Sequence, residues 1–253
     1  MPKRFLITLF ILLFLFFPLL WISQYNYPSG DDYFIAILAK RLGTLEATKW
    51  WYFNRSGRYS YLFLQSLISS SDSWLTLYKV FPATLLLAGF GSLYYFVRAF
   101  FGPVFSKTTL FILSAALYTL LISLTTDIST GFYWLTTSIQ YSGAVFTSLL
   151  IFALYINFSR TKKSVTKTVY VLLITILIAL LAGLNEVSAL FLIGTFSFIN
   201  FLYIVEFKRS DIWSLAFLAL SVMFCLVSFL APGTHARIGQ IGVELHLLSV
   251  LGG

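Results

Sequence analysis

The sequence predicts an all-α membrane protein with about seven transmembrane helices and with interfacial helices in its first outer loop. Hydrophobic residues make up 59% of the 253 positions and charged residues only 10%, whereas a soluble domain is roughly half apolar and a quarter charged. Apolar stretches of about 20 residues, each able to cross a hydrocarbon core about 30 Å thick, recur along the whole chain. We therefore exclude a soluble protein and predict a single membrane domain over residues 1–253.

The first span follows the charged start of the chain. Lys3 and Arg4 precede an apolar run over residues 5–21. This order of charge and hydrophobicity is that of a signal peptide, but the run is long and lacks a small-x-small cleavage site. We predict an uncleaved signal anchor.

The remaining spans and their orientation follow from hydropathy and from basic residues. We predict spans at residues 5–22, 75–97, 108–125, 141–158, 168–184, 187–205 and 212–230. With a cytoplasmic N-terminus, every basic residue of the short loops falls on the cytoplasmic side, as the positive-inside rule requires. The prediction is thus a multi-pass protein of the inner (plasma) membrane. The net charge of +8 is explained by orientation and by anionic membrane lipids, and nucleic acid is not expected as a partner.

The first outer loop, about residues 23–73, is long and nearly balanced in charge. It contains five basic and four acidic residues. Long loops cross the membrane with little regard to their charge. Apolar residues recur at helical spacing over residues 33–42, and a second such element covers residues 59–68. Both are expected to be interfacial helices, and the aromatic residues 50–53 between them are typical of a headgroup anchor.

The predicted topology places most of the polar, chemically useful residues on the outer face. These residues are Asp31, Asp32, Asp127, Glu186, His235 and Arg237. A reaction between a lipid-borne substrate and an outer acceptor would need such groups, although loops also contain them by default.

Asp31 and Asp32 directly follow a Tyr-Pro-Ser-Gly turn after the first span. Adjacent carboxylates repel each other, which suits a general base or a shared divalent cation such as Mg²⁺ or Mn²⁺. The alternative is that Ser29 or Asp31 caps the interfacial helix that follows.

Two further segments supply polar candidates at span ends. Asn185 and Glu186 join two spans with almost no loop, and an ionisable residue at the membrane boundary is costly without a partner. The segment over residues 131–141 combines aromatic, amide and hydroxyl groups that can stack on and bind a sugar: Tyr133, Trp134, Gln140 and Tyr141. An aromatic belt at the headgroup level is the alternative for this segment.

A Pro-Gly turn closes the last span. It leads to His235 and Arg237, and the planar guanidinium fork of Arg237 can clamp a phosphate. An arginine that snorkels to the headgroups is the alternative. We expect Asp31 or Asp32, Glu186 and Arg237 to face one polar groove.

The order of these motifs resembles the GT-C superfamily of integral-membrane glycosyltransferases, in particular a bacterial branch. The shared features are Asp-Asp after the first span, an outer Phe-Tyr-Trp-Leu followed by Gln-Tyr, a membrane-edge Asn-Glu, and Ala-Pro-Gly with a following Arg. They cover nearly the whole chain, although each motif is short.

The resemblance implies a polyprenyl-phosphate-linked sugar as donor and an extracytoplasmic active site. It gives Asp31 or Asp32 the role of base or metal ligand, Arg237 that of a donor-phosphate contact, and Glu186 that of a second polar contact. Two features depart from the branch: Thr234 stands where Asn usually follows Pro-Gly, and the chain ends at Gly253 as if another span were beginning. One interpretation of this ending is a truncated copy.

Two other classes of protein stay open from the sequence. A transporter or lipid flippase would use Asp31, Asp32 and Glu186 for protons or substrate, but the spans are nearly free of charge and no repeat is evident. The second alternative class is a non-catalytic partner in a membrane assembly. No P-loop, dinucleotide, zinc-protease or serine-hydrolase motif occurs, and Cys225, the one cysteine, excludes a disulfide framework.

Overall fold

The computed structural model describes residues 3–237, and each element in them is helical. The main helices are α1 Lys3–Ile22, α2 Asp31–Leu42, α3 Thr44–Asn54, α4 Tyr59–Ser70, α5 Trp74–Phe101, α6 Lys107–Leu124, α7 Leu135–Gln140, α8 Ser142–Arg160, α9 Ser164–Ala182, α10 Glu186–Phe207 and α11 Ile212–Phe229. A 3₁₀ turn at Ser23–Tyr25 follows α1, and a π turn at Ser129–Tyr133 precedes α7. Residues 232–237 add a short helical segment. The predicted all-α fold is confirmed.

Six helices among the described residues are long and apolar enough to cross a membrane. They are Trp74–Phe101, Lys107–Leu124, Leu135–Arg160, Ser164–Ala182, Glu186–Phe207 and Ile212–Phe229. They match the last six predicted spans, so the chain is a multi-pass membrane protein. The first predicted span is a helix of 20 residues, Lys3–Ile22, but it is not among the six, and the predicted count of seven is not confirmed.

Side-chain caps explain where several of the membrane helices begin. The Ser106 hydroxyl accepts the Thr109 amide at 3.2 Å at the start of α6, and the Asp211 carboxylate accepts the Ser214 amide at 2.9 Å at the start of α11. Such caps satisfy amides that have no partner within the helix, which matters where water is scarce. The breaks between predicted spans therefore coincide with residues that stabilise helix ends.

The first long loop is more helical than the sequence indicates. The two predicted helices appear as α2 and α4, but α3 covers the segment that we interpreted only as an aromatic anchor. Gly43 separates α2 from α3 with φ +80°, a backbone conformation that favours glycine. The aromatic residues 50–53 thus lie on a helix.

The chain divides into two compact units. Unit 1 comprises Met1–Tyr33 and Asp72–Leu177, and unit 2 comprises Phe34–Ser71 and Ile178–Gly253. In unit 1, α1, α5, α6 and α8 surround a buried cluster that contains Leu86, Tyr118 and Phe146. The helices pack closely at Gly89, because an added Cβ there would lie 2.3 Å from the Phe146 ring. Close helix packing through small residues is typical of membrane bundles.

Unit 2 is built around α10 and α11 with the end of α9. The rings of Phe196 and Phe217 pack with centroids 5.8 Å apart, and Ala182, Ala189 and Cys225 form a small buried cluster. The helices α3 and α4 belong to the same unit. Gly252-Gly253, on which the interpretation of a truncated copy depends, lies outside the described residues.

Candidate functional site

Asp32 is the most deeply buried charged residue of the described chain, with 1% of its surface exposed. Its Oδ1 accepts the Thr136 amide at 3.2 Å and the Thr136 hydroxyl at 2.7 Å. Its Oδ2 accepts the Ser29 amide at 2.9 Å and a hydrogen bond from the Tyr78 hydroxyl. Four protein donors therefore compensate the burial of this carboxylate, as a buried charge requires.

The donors reach Asp32 from three separate parts of unit 1. Tyr78 lies near the start of α5, and its hydroxyl also accepts the Leu135 amide at 3.1 Å. The side chain of Asn26 donates to the carbonyls of Tyr133 and Tyr78 at 2.7 and 3.3 Å. The end of α1, the start of α5 and the segment before α7 are thereby held together at one end of the unit.

Two aromatic residues of the predicted sugar-binding segment contribute to this arrangement. The Trp134 indole donates to the Ser29 carbonyl at 3.2 Å, and the Tyr133 hydroxyl donates to the Leu19 carbonyl at 2.6 Å. Burial raises the pKa of the Tyr133 hydroxyl to about 12. Both side chains therefore stabilise the turn after α1.

Asp31 differs from its neighbour because its side chain is exposed. Both residues belong to the first turn of α2, where carboxylates interact favourably with the helix dipole. Asp32, in contrast, is enclosed by hydrogen-bond partners from α5 and α7. Asp32 also accepts the Ser29 amide three residues back, in the manner of a capping box.

The surroundings of Asp32 do not fit a divalent cation. Both of its oxygens accept hydrogen bonds from protein donors, and no group of three or more His, Cys, Asp or Glu side chains that could hold a metal occurs within residues 3–237. A hard cation of this kind takes six or more oxygen ligands. We therefore derive no step through a metal.

Three other sequence candidates of unit 1 are Asp127, Gln140 and Tyr141. Asp127 accepts hydrogen bonds from Ser129 and Thr130 in its own turn, and these bonds lower the pKa of its carboxyl to about 2. Gln140 is buried at the end of α7, whereas the Tyr141 ring is 52% exposed.

In unit 2, Glu186 forms an ion pair with Arg58, 128 residues away in sequence. The Arg58 Nε lies 2.9 Å from Oε1 and 2.8 Å from Oε2, and the two side chains are 23% and 19% exposed. Glu186 is the first residue of α10 and Arg58 directly precedes α4. The expectation that a membrane-edge glutamate needs a partner is met by this arginine.

The Asn-Glu turn itself is closely packed. The Asn185 side chain is buried and caps α10 by accepting the Val187 amide at 2.9 Å, and the Gly183 carbonyl accepts the Tyr61 amide at 3.1 Å. The Tyr59 hydroxyl donates to the Ala179 carbonyl at 2.7 Å. Burial, with a smaller contribution from Tyr52, raises the pKa of the Tyr59 hydroxyl to about 12. Asn185 is thus a structural cap rather than an exposed contact.

The Pro-Gly-Thr turn after α11 packs against the loop that carries Arg58. The Gly57 amide donates to the Thr234 hydroxyl at 3.0 Å, and the Ser228 hydroxyl donates to the Gly57 carbonyl at 3.0 Å. Thr234 in turn donates to the Ser228 carbonyl at 3.3 Å. Thr234, which stands where the branch resembled in sequence usually has Asn, therefore makes hydrogen bonds that hold this turn.

His235 and Arg237 continue this turn with exposed side chains. Unit 2 thus brings the Asn-Glu turn, the Pro-Gly turn and Arg58 to one end. Glu186 and Arg237 belong to unit 2, whereas Asp31 and Asp32 belong to unit 1. The expectation that these residues face one groove stays a prediction.

The sequence interpretation missed Asn26, Arg58, Tyr78 and Thr136. Each makes its important contacts with residues at least 46 positions away. Local spacing carries no signal for such partners. The one available signal was physical, since Asp32 and Glu186 at a membrane boundary each require a donor.

Comparison with known proteins adds no relative. The chain matches no family model, no curated protein and no solved structure.

Proposed function

We propose that this protein is an integral-membrane glycosyltransferase of the GT-C type. It transfers a sugar from a polyprenyl-phosphate donor to an extracytoplasmic glycan, lipid or protein acceptor. It resides in the inner membrane with a cytoplasmic N-terminus. The observation that carries the proposal is the Asp31-Asp32 pair, in which a buried and fully hydrogen-bonded carboxylate fixes the turn that presents an exposed one.

The two carboxylates have different roles under this proposal. Asp32 is a positioning residue, because its oxygens are occupied by Ser29, Tyr78 and Thr136. Asp31 is the catalytic base, because its carboxylate is exposed at the start of α2, next to the end of α1. A base must reach the acceptor hydroxyl, and an exposed carboxylate on a rigid turn meets that need.

Within unit 2, two arginines are candidates for binding phosphate. Arg237 is the donor-phosphate contact on an exposed turn, and His235 lies beside it. Glu186 orients Arg58 at the same end of this unit through the ion pair. Guanidinium groups bind phosphate oxygens in a planar, two-pronged geometry.

The reaction follows from these roles. The acceptor hydroxyl oxygen forms a bond to the anomeric carbon of the donor sugar while the bond from that carbon to the phosphate oxygen breaks. The hydroxyl proton passes to the Asp31 carboxylate, and polyprenyl phosphate departs as the leaving group. Attack opposite the leaving group inverts the anomeric centre.

The test is donor turnover by the full chain in proteoliposomes. Radiolabelled polyprenyl-phosphate hexoses and pentoses are supplied, and the release of polyprenyl phosphate and the labelling of acceptors are measured. We expect Asp31→Asn to lower transfer by roughly a hundredfold or more, the usual scale for the loss of a general base.

Asp72→Asn is the matched control, because Asp72 is also an exposed carboxylate of unit 1 and has no role in the proposed reaction. Its transfer rate should equal that of the parent. Equal activity in Asp31→Asn and in the parent would defeat the assignment of the base. Absence of turnover in the parent with every donor, together with pH-dependent uptake of a solute, would instead indicate a carrier.

A further inference from the structure

The acidic residues of unit 1 are confined to one of its ends. Its acidic residues are Asp31, Asp32, Asp72 and Asp127, and residues 73–126 and 128–177 contain no Asp or Glu. The hydrogen bonds of Asn26 to Tyr78 and Tyr133 hold the acidic segments at the end where α5 begins. The opposite end, about 40 Å away along the 28 residues of α5, carries basic residues and no acidic ones. They are Arg98, Lys107, Arg160, Lys162, Lys163 and Lys167.

Direct contacts gather these basic residues. The Arg160 guanidinium at the end of α8 donates to the Ala99 carbonyl near the end of α5. One turn deeper, the Asn157 amide donates to the Tyr95 hydroxyl at 2.9 Å. The Lys167 ammonium of α9 lies 5.5 Å from the centroid of the Phe158 ring. The ends of α5 and α8 and the start of α9 are therefore neighbours, and their positive charges share one surface.

Large apolar side chains border this basic surface. Phe100 is 54% exposed, Val104 74% and Val165 79%. Each lies within a few residues of an exposed basic side chain. A soluble polyphosphate would gain nothing from these groups, whereas the glycerol and acyl portions of a lipid would cover them while its phosphate meets the lysines and arginines.

We propose that this end of unit 1, over residues 98–107 and 160–169, binds an anionic phospholipid through its phosphate headgroup. We assign this surface to a lipid, rather than to a soluble phosphate, because basic side chains and exposed apolar side chains lie next to each other there. The negative lipid phosphate would meet six basic residues. No acidic residue of unit 1 lies at that end to compete for them. This binding is independent of the proposed sugar transfer.

The experiment titrates the detergent-solubilised full chain with phosphatidylglycerol or phosphatidylcholine and measures retained lipid by native mass spectrometry. We expect tighter retention of phosphatidylglycerol, weakened by salt. Lys162→Gln/Lys163→Gln should weaken it about twenty-five-fold, since each basic residue near an anionic headgroup contributes about fivefold. Both lysines are exposed in the short connection between α8 and α9, so the variant should fold like the parent.

Lys79→Gln removes a positive charge at the other end of α5 and should retain lipid like the parent. Equal retention of phosphatidylglycerol by Lys162→Gln/Lys163→Gln and by the parent would overturn the proposal. So would equal retention of phosphatidylcholine. Displacement of the lipid by inorganic pyrophosphate at a comparable concentration would show that the surface binds soluble phosphate and would likewise overturn it.

Discussion

At the scale of single residues, the two adjacent aspartates show how one residue type takes two roles in neighbouring positions. Asp32 points into unit 1 and accepts hydrogen bonds from Ser29, Tyr78 and Thr136, whereas Asp31 is exposed. Adjacent positions on a helix lie about 100° apart around its axis, so one side chain can be enclosed while the next meets solvent. Their substitutions should therefore differ.

We predict that Asp32→Asn destabilises the protein by about 1–3 kcal/mol, the usual cost of leaving a buried donor unsatisfied. The asparagine amide has an NH₂ group in place of one acceptor oxygen. In one orientation this group faces the Thr136 hydroxyl and amide, and in the other it faces the Tyr78 hydroxyl and the Ser29 amide, so a donor meets donors either way. Asp31→Asn should stay within about 0.5 kcal/mol, as is usual for exposed sites. Thermal unfolding in detergent measures both, and equal losses would contradict the different burial of the two carboxylates.

The ion pair of unit 2 gives a second prediction at this scale. Arg58 and Glu186 are about one-fifth exposed. Their burial is intermediate between that of surface ion pairs, which contribute up to about 1 kcal/mol, and that of fully buried pairs. A double-mutant cycle with Arg58→Gln and Glu186→Gln should yield a coupling of about 1–2 kcal/mol. A coupling near zero would show that Glu186 does not hold Arg58. The exposed pair Lys49–Glu46 is the control and should couple more weakly.

At the scale of elements, the turns matter more than the interiors of the helices. The turn between α9 and α10 and the turn after α11 contain glycines against which backbone atoms pack directly. A Cβ on Gly183 would lie 2.4 Å from the Ser60 hydroxyl, and one on Gly233 would lie 2.5 Å from the Arg55 amide nitrogen. These turns fix the loop that carries Arg58.

We predict that Gly183→Ala destabilises the protein by about 1–3 kcal/mol, in the range of overpacking, because the methyl group would meet Ser60 and Tyr59. Gly194→Ala is the matched control, since Gly194 lies inside α10 with no atom within 4 Å of an added Cβ. Alanine there should be neutral or slightly stabilising. Thermal unfolding distinguishes the two, and equal behaviour would refute the close packing of the α9–α10 turn.

At the scale of the whole molecule, the chain is a multi-pass helical membrane protein whose charge is distributed by helix end. Within unit 1, the acidic residues lie at one end of α5, and most basic residues lie at the other. The positive-inside rule then predicts that the basic end faces the cytoplasm. This orientation underlies the proposed extracytoplasmic site.

Cysteine labelling in intact cells tests the orientation. Ser164→Cys, at the start of α9, should resist an impermeant thiol reagent, whereas Thr126→Cys, after α6, should react. Both positions are exposed, and the native Cys225 is buried, so background labelling should be low. Labelling of Ser164→Cys and protection of Thr126→Cys would invert the topology and remove the proposed function.

The sequence by itself determined the membrane class, the helical fold and the approximate bounds of six spans. Hydrophobicity over about 20 residues is a local property, and a helix satisfies its backbone within its own segment. The tertiary structure alone decided that Asp32 is enclosed and Asp31 exposed, that Glu186 pairs with Arg58, and that Thr234 completes a turn. Those partners lie between 3 and 177 positions away along the chain, and only folding brings the distant ones within hydrogen-bond distance.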